Sequence, residues 1–226
     1  MAPTLTVKTT THGRVLVEDA ADAVATRGTL VGFHGYGQSA EDMLAGLGSI
    51  PGSGDWTLVS IQALHRFYAR DQQSVIASWM TRQDRDLAIA DNVEYVNRAL
   101  DQITGTEPSN HRTLEPSNRC VFLGFSQGVA MAYRAALLGT HAPAGIIALA
   151  GDVPPELVSA DAASRVWPPV LLATGARDTW HTPARLAEDA ARLRSLGVAH
   201  ESLVFDGGHE WTDEFRRATA DWLSRL

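Results

Sequence analysis

Five residues, Gly124-Phe125-Ser126-Gln127-Gly128, stand between two apolar runs of different character. Upstream, Arg119-Cys120-Val121-Phe122-Leu123 is short and dense in apolar side chains, and reads as a buried strand. Downstream, Val129 to Leu138 is Ala-rich, ends at Gly139 and reads as a helix. A strand that turns directly into a helix needs a sharp and strained bend. The G-x-S-x-G pattern supplies it, presenting a serine hydroxyl at the carboxyl edge of a sheet with the next residue's N–H aimed at a developing oxyanion. Gly124 and Gly128 leave room for neighbouring backbone on either side of that bend.

The rest of the chain supports a sheet around this strand. Thr4 to Lys8 and Arg14 to Val17 alternate like two antiparallel strands, with His12-Gly13 as a turn between them. Thr29 to Phe33 and Trp56 to Ile61 are denser apolar runs, as expected of strands covered on both faces. Between Asp84 and Ile103 the residues Ile89, Val93, Val96, Leu100 and Ile103 recur at steps of four and three, marking one face of a long helix. Further strands are expected at Gly145 to Ala150, Val170 to Thr174 and Ser202 to Phe205, with helices from Pro183 to Leu196 and from Glu210 onward. This alternation predicts one α/β domain over residues 1–226, a mostly parallel sheet with helices on both faces. Two segments break it. Gln62 to Arg82 carries Leu64, Phe67, Tyr68, Trp79 and Met80 without a clear period; it reads either as a loop wrapped over a site or as a surface loop pinned by apolar plugs. Glu107-Pro108-Ser109-Asn110 recurs as Glu115-Pro116-Ser117-Asn118, and reads as an extended connection.

A serine hydroxyl needs a base to activate it and a carboxylate to orient that base, and folds built on such an elbow deliver them in the order serine, acid, histidine. Asp206-Gly207-Gly208-His209-Glu210 follows the last expected strand, where a glycine-rich loop can bring an imidazole over the sheet edge, so His209 is the candidate base. His200 begins a strand at the wrong edge and His181 lies too near the acid in sequence. Asp178, in Thr174-Gly175-Ala176-Arg177-Asp178, is the candidate acid at a strand's carboxyl end; Thr182 before Pro183 serves the next helix better as its cap. Asp152 is the alternative acid, and otherwise a residue of the pocket rim. His34-Gly35-Tyr36-Gly37-Gln38 follows the strand ending at Phe33 and resembles a glycine-rich oxyanion loop, which assigns the two oxyanion donors to the N–H groups of Tyr36 and Gln127. His34 reads as a satisfied buried histidine that orients the loop. Trp79, Met80, Phe67 and Trp180 are candidates for an apolar acyl site, or for packing.

Composition excludes several function classes. A formal charge of −7 without a basic cluster argues against nucleic acid and anionic membrane as partners. The single cysteine, Cys120, has no internal disulfide partner and falls in the elbow strand, as a buried inert thiol. No run reaches signal-peptide or membrane-spanning character, and a cytoplasmic address is expected. The eight histidines show no metal-ligand spacing, so neither a metal nor another cofactor is expected.

With these segments in order, the chain resembles the acyl-protein thioesterase and carboxylesterase/phospholipase family of α/β-hydrolases, from His34-Gly35-Tyr36-Gly37 to His209. The glutamine after Ser126 is typical of that family, and Ser78-Trp79 resembles the tryptophan segment that lies near its acyl pocket. The family's Asp, two residues and then Val-Pro is here Asp178-Thr179-Trp180-His181-Thr182-Pro183, one residue longer. Its phenylalanine-aspartate after the tryptophan is replaced by Met80-Thr81. The resemblance implies an α/β-hydrolase fold and a serine carboxylesterase, with thioesters and lysophospholipids as further substrates; the lack of a long insert for a lid domain predicts an open pocket that takes short to medium acyl esters. The enzyme would work through an acyl-enzyme on Ser126, as a monomer or homodimer. The alternatives are a lactone or peptide hydrolase using the same triad, and a non-catalytic scaffold binding a small apolar ligand.

Overall fold

The computed structural model describes residues 4–22, 25–105, 119–158 and 165–226. Strands β1 (Arg14–Glu18), β2 (Thr29–Phe33), β3 (Thr57–Gln62), β6 (Cys120–Phe125), β7 (Gly145–Leu149), β8 (Val170–Gly175) and β9 (His200–Phe205) form one seven-stranded sheet in the order β1-β3-β2-β6-β7-β8-β9. All neighbours are parallel except β1, which runs antiparallel to β3. Between and after them lie α1 (Ala40–Gly48), α2 (Arg85–Thr104), α3 (Gln127–Leu138), α4 (Pro183–Ser195) and α5 (Asp213–Arg225).

The period-two geometry of strands divides the core into two layers. Val31, Phe33, Val59, Ile61, Phe122, Ile146 and Leu172 face one side, where Val93 and Val96 of α2, Met131 and Ala132 of α3 and Leu186 and Leu193 of α4 cover them. Leu30, Leu58, Val121, Leu123, Ile147 and Leu171 face the other, against Met43 and Leu47 of α1 and Phe215, Trp222 and Leu223 of α5. Central strands such as Thr29–Phe33 and Gly145–Leu149 are buried at every position, which is why their sequences read as unbroken apolar runs rather than alternating ones.

Three expectations change. Residues 4–8 form no strand; Arg14–Glu18 pairs instead with β3, Val15 opposite Ile61. The Gln62 to Arg82 stretch is not a plain loop: β4 (His65–Tyr68) and β5 (Val75–Ser78) make an antiparallel hairpin outside the main sheet. Its short strands pair locally, too briefly for a clear alternation. Helix α1 has no counterpart in the sequence reading, although its start is marked by a capping box between Ser39 and Asp42. The repeated Glu-Pro-Ser-Asn segments lie outside the described residues.

Candidate active site

At the junction of β6 and α3, Ser126 has φ 53° and ψ −119°, a backbone conformation that residues with a Cβ avoid. Strain of this kind costs about 1–3 kcal/mol and persists only where the surroundings enforce it. Here they do. The Ser126 N–H donates to the Leu149 carbonyl at 2.9 Å, and the Ser126 carbonyl accepts from Val129 N at 3.0 Å. A Cβ on Gly128 would stand 1.9 Å from the Phe33 carbonyl oxygen, and one on Gly124 2.5 Å from Val129 backbone. Both flanking glycines are therefore required by close backbone approach.

Asp178 follows β8 and its carboxylate is closed off from solvent. One oxygen accepts from the backbone N–H groups of Trp180 at 2.7 Å and His181 at 3.0 Å. The other accepts from His209 Nδ1 at 2.8 Å. Burial acts to raise the Asp178 pKa, but the hydrogen bonds from His209, Trp180 and His181 together outweigh it and hold the acid below the usual carboxylate range. The bond to Nδ1 makes that nitrogen the donor and leaves the His209 Nε2 lone pair free to take a proton. The imidazole packs on Phe125, ring centroids 5.0 Å apart, which brings it over the residue before Ser126. The Ser126 hydroxyl is not hydrogen-bonded to His209 in this structure; such bonds often tighten only when substrate binds.

The loop after β2 closes the third side. Gly35 lies against the elbow, where a Cβ would meet Phe125 Cδ1 at 3.2 Å and Ser126 Cβ at 3.3 Å. Gln38 Oε1 accepts from Gly35 N at 2.7 Å, and Gly37 N and the Gln38 carbonyl bond the edge of β5 at Ala77. Among the described residues, the Tyr36 N–H donates to no acceptor of the chain, and the Gln127 N–H is the first of α3, which the helix leaves unpaired. His34 is fully buried: Nδ1 donates to the Gly35 carbonyl at 2.7 Å, Nε2 accepts from Ala63 N at 3.0 Å, and burial lowers its pKa, so it stays neutral.

The structure thus brings Ser126, Asp178, His209, Tyr36 and Gln127 to one edge of the sheet, and treats the expected acyl-site residues differently. Trp79 is fully buried behind the loop, so it braces the site and offers no face to an acyl chain. Its indole N–H donates to the His34 carbonyl at 2.9 Å, and Asn92 Nδ2 donates to its carbonyl at 2.7 Å. Met80 is half-buried beside Arg134, which is itself paired with Glu156 at 2.6 Å. Phe67 of the hairpin packs on the Tyr36 ring at 5.7 Å, and Trp180 is 76% exposed. Asp152 pairs with Arg185 at 2.7 Å and not with His209, so the alternative acid does not meet the base. Sequence reasoning missed the side chain of Gln127. Its Oε1 accepts from Trp79 N at 2.9 Å and its Nε2 donates to the Met80 carbonyl at 3.0 Å, tying the elbow to the end of β5. Only the polar amide after the serine hinted at it.

Residues 16–224 match the family model for phospholipase/carboxylesterase. The chain belongs to this family. Its fold is the α/β-hydrolase fold, and among the described residues there is no large lid domain. Three solved structures resemble the phospholipase/carboxylesterase chain described here over nearly its whole length. Esterase PE8 has a TM-score of 0.70 at 22% identity, covering 96% of this chain and 100% of that one. The Bacillus cereus carboxylesterase has a TM-score of 0.68 at 16% identity, covering 94% of each. The Zea mays acyl-protein thioesterase 2 has a TM-score of 0.67 at 19% identity, covering 95% of this chain and 99% of that one. No curated protein matches the sequence. Cys120 at the start of β6 has its thiol pKa pushed up to about 12 by burial, which rules it out as a second nucleophile at neutral pH. No helix among the described residues is long and apolar enough to cross a membrane.

Proposed function

We propose that this phospholipase/carboxylesterase family member hydrolyses carboxylic esters of short to medium acyl chains through an acyl-enzyme on Ser126. The observation that carries the reading is the 2.8 Å Asp178–His209 bond placed over a strained serine elbow. In this mechanism His209 Nε2 takes the Ser126 proton as Oγ attacks the ester carbonyl. Asp178 holds the imidazole and offsets the charge it gains, while the Tyr36 and Gln127 N–H groups receive the oxyanion. The imidazolium then gives its proton to the leaving alkoxide, and a water activated by His209 releases the acid and restores Ser126. Thioesters and lysophospholipids fit the same chemistry, since only the leaving group changes. The resemblance to the carboxylesterase and thioesterase structures supports the fold on which this rests.

The test is p-nitrophenyl ester hydrolysis by the wild type and Ser126→Ala, with a fluorophosphonate label located by mass spectrometry. We expect turnover and labelling in the wild type, a rate lowered by about 10³-fold or more in the variant with no label, and a maximum at butyrate to octanoate. Unchanged turnover by Ser126→Ala would overturn the mechanism, and a maximum at palmitate would overturn the chain-length reading. A wild type that neither turns over nor labels would favour the ligand-binding scaffold.

A further inference from the structure

We propose that Asp152, His181 and Asp189 form a binding site for one first-row divalent cation, Zn²⁺ being the type, beneath the loop that carries Asp178. The three come from separate elements: Asp152 follows β7, His181 precedes α4 and Asp189 lies within α4. One donor atom from each falls within 4.8 Å of the others. A pattern read along the chain has no means of showing such a set.

One buried side chain at this place has no hydrogen-bond partner of its own. His181 is 3% exposed, and neither ring nitrogen makes a hydrogen bond. Its Nε2 stands 3.6 Å from Asp189 Oδ2 and 3.8 Å from Asp152 Oδ1. Both separations exceed a hydrogen bond, so the imidazole does not donate directly to either acid. These two separations are close to the edge of a tetrahedral site, because donors about 2.1 Å from a shared ion and this far apart subtend roughly 120–130°, while the two acid oxygens, within 4.8 Å of each other, would draw in by about half an ångström to share the ion.

The neighbouring cations orient the acids for this task. Arg185 takes Asp152 Oδ2 at 2.7 Å, and Arg192 takes Asp189 Oδ1 at 2.9 Å, each holding the outer oxygen of its carboxylate. The inner oxygens, Asp152 Oδ1 and Asp189 Oδ2, remain turned toward His181. Val153 N also donates to Asp189 Oδ2 at 3.0 Å, fixing that carboxylate further. This is the kind of outer support that metal-binding carboxylates usually have. One imidazole and two carboxylates suit Zn²⁺ and its first-row neighbours better than Mg²⁺, which favours oxygen donors throughout. The fourth position would be taken by water.

The site is joined to the catalytic candidate by backbone. The His181 N–H donates to Asp178 Oδ1 at 3.0 Å, and its carbonyl accepts from Thr174 Oγ1 at 2.5 Å. An ion here ties the loop of Asp178 to α4 and to the turn after β7.

Binding, not ester hydrolysis, is the readout, so the proposal stands or falls independently of the esterase reading. Tag-free protein freed of metal by chelator is titrated with Zn²⁺ by calorimetry, and the Co²⁺ form is examined for the intense visible bands of four-coordination. We expect one Zn²⁺ per chain, no Mg²⁺ binding at millimolar concentration, and binding at least 100-fold weaker in His181→Leu. That variant removes no hydrogen bond and should fold. Asp152→Asn, at a half-exposed position, should weaken binding at least tenfold and dim the Co²⁺ bands. Absence of saturable Zn²⁺ binding by the wild type would overturn the site. Undiminished binding by His181→Leu would also overturn it, placing the ion elsewhere.

Discussion

Asp178 accepts three hydrogen bonds, from the His209 ring and the Trp180 and His181 backbone, while closed off from water, and each favours its charged form. Its folded pKa lies below the unfolded value near 3.9, so it contributes stability above that value and loses the contribution as pH falls through the folded pKa. The melting temperature of the wild type should therefore exceed that of Asp178→Asn at pH 6, with the gap narrowing as the pH falls from about 4 to 2. A constant gap would mean that the carboxylate charge is not what the fold uses. In activity, the same variant should lose about 10³–10⁴-fold in kcat, since an asparagine holds the wrong imidazole tautomer. Steady-state hydrolysis of p-nitrophenyl butyrate measures it.

Helix α3 begins with a residue that belongs to two structures at once. The Gln127 main chain opens the helix, while its amide side chain holds Trp79 N and the Met80 carbonyl at the end of β5. Gln127→Ala leaves both backbone groups without these partners, a loss of about 1–3 kcal/mol, and frees the loop that carries Tyr36. Chemical denaturation should show that loss, and kcat should fall further than stability alone accounts for; an unaltered kcat would detach the β5 brace from the chemistry. Legibility followed the same division. The elbow, the acid loop and the histidine loop were readable because each sits in a short stretch of chain at the carboxyl end of an apolar strand. The role of Trp79 was not, because its partners, His34, Asn92 and Gln127, are 45, 13 and 48 residues away. Helix α1 escaped notice for a different reason: nine residues give little more than two turns of periodicity, and its clearest mark is the cap at Ser39. The hairpin His65–Tyr68 with Val75–Ser78 hid in the same way, with four residues to a strand.

At the scale of the whole molecule, both core layers are fed by the same strands. Val121, Phe122 and Leu123 of β6 alternate between the two faces, so neither layer can come apart without exposing the other. We propose accordingly that residues 1–226 unfold as one domain. Scanning calorimetry should give a single peak whose van't Hoff and calorimetric enthalpies agree. Two resolved transitions would divide the chain in a way the shared sheet forbids.

Two of the six tryptophans stand at opposite extremes of exposure while touching the same site. Trp79 is sealed against the carbonyl of His34, whereas Trp180, two residues beyond Asp178, is 76% open to solvent. Their emission should differ in wavelength, because an indole in water relaxes its surroundings and one in packed protein does not. Trp56 and Trp222 are buried too, so these two optical gauges, one on the oxyanion side and one on the acid side, are read without a dye as the emission lost in Trp79→Phe and in Trp180→Phe.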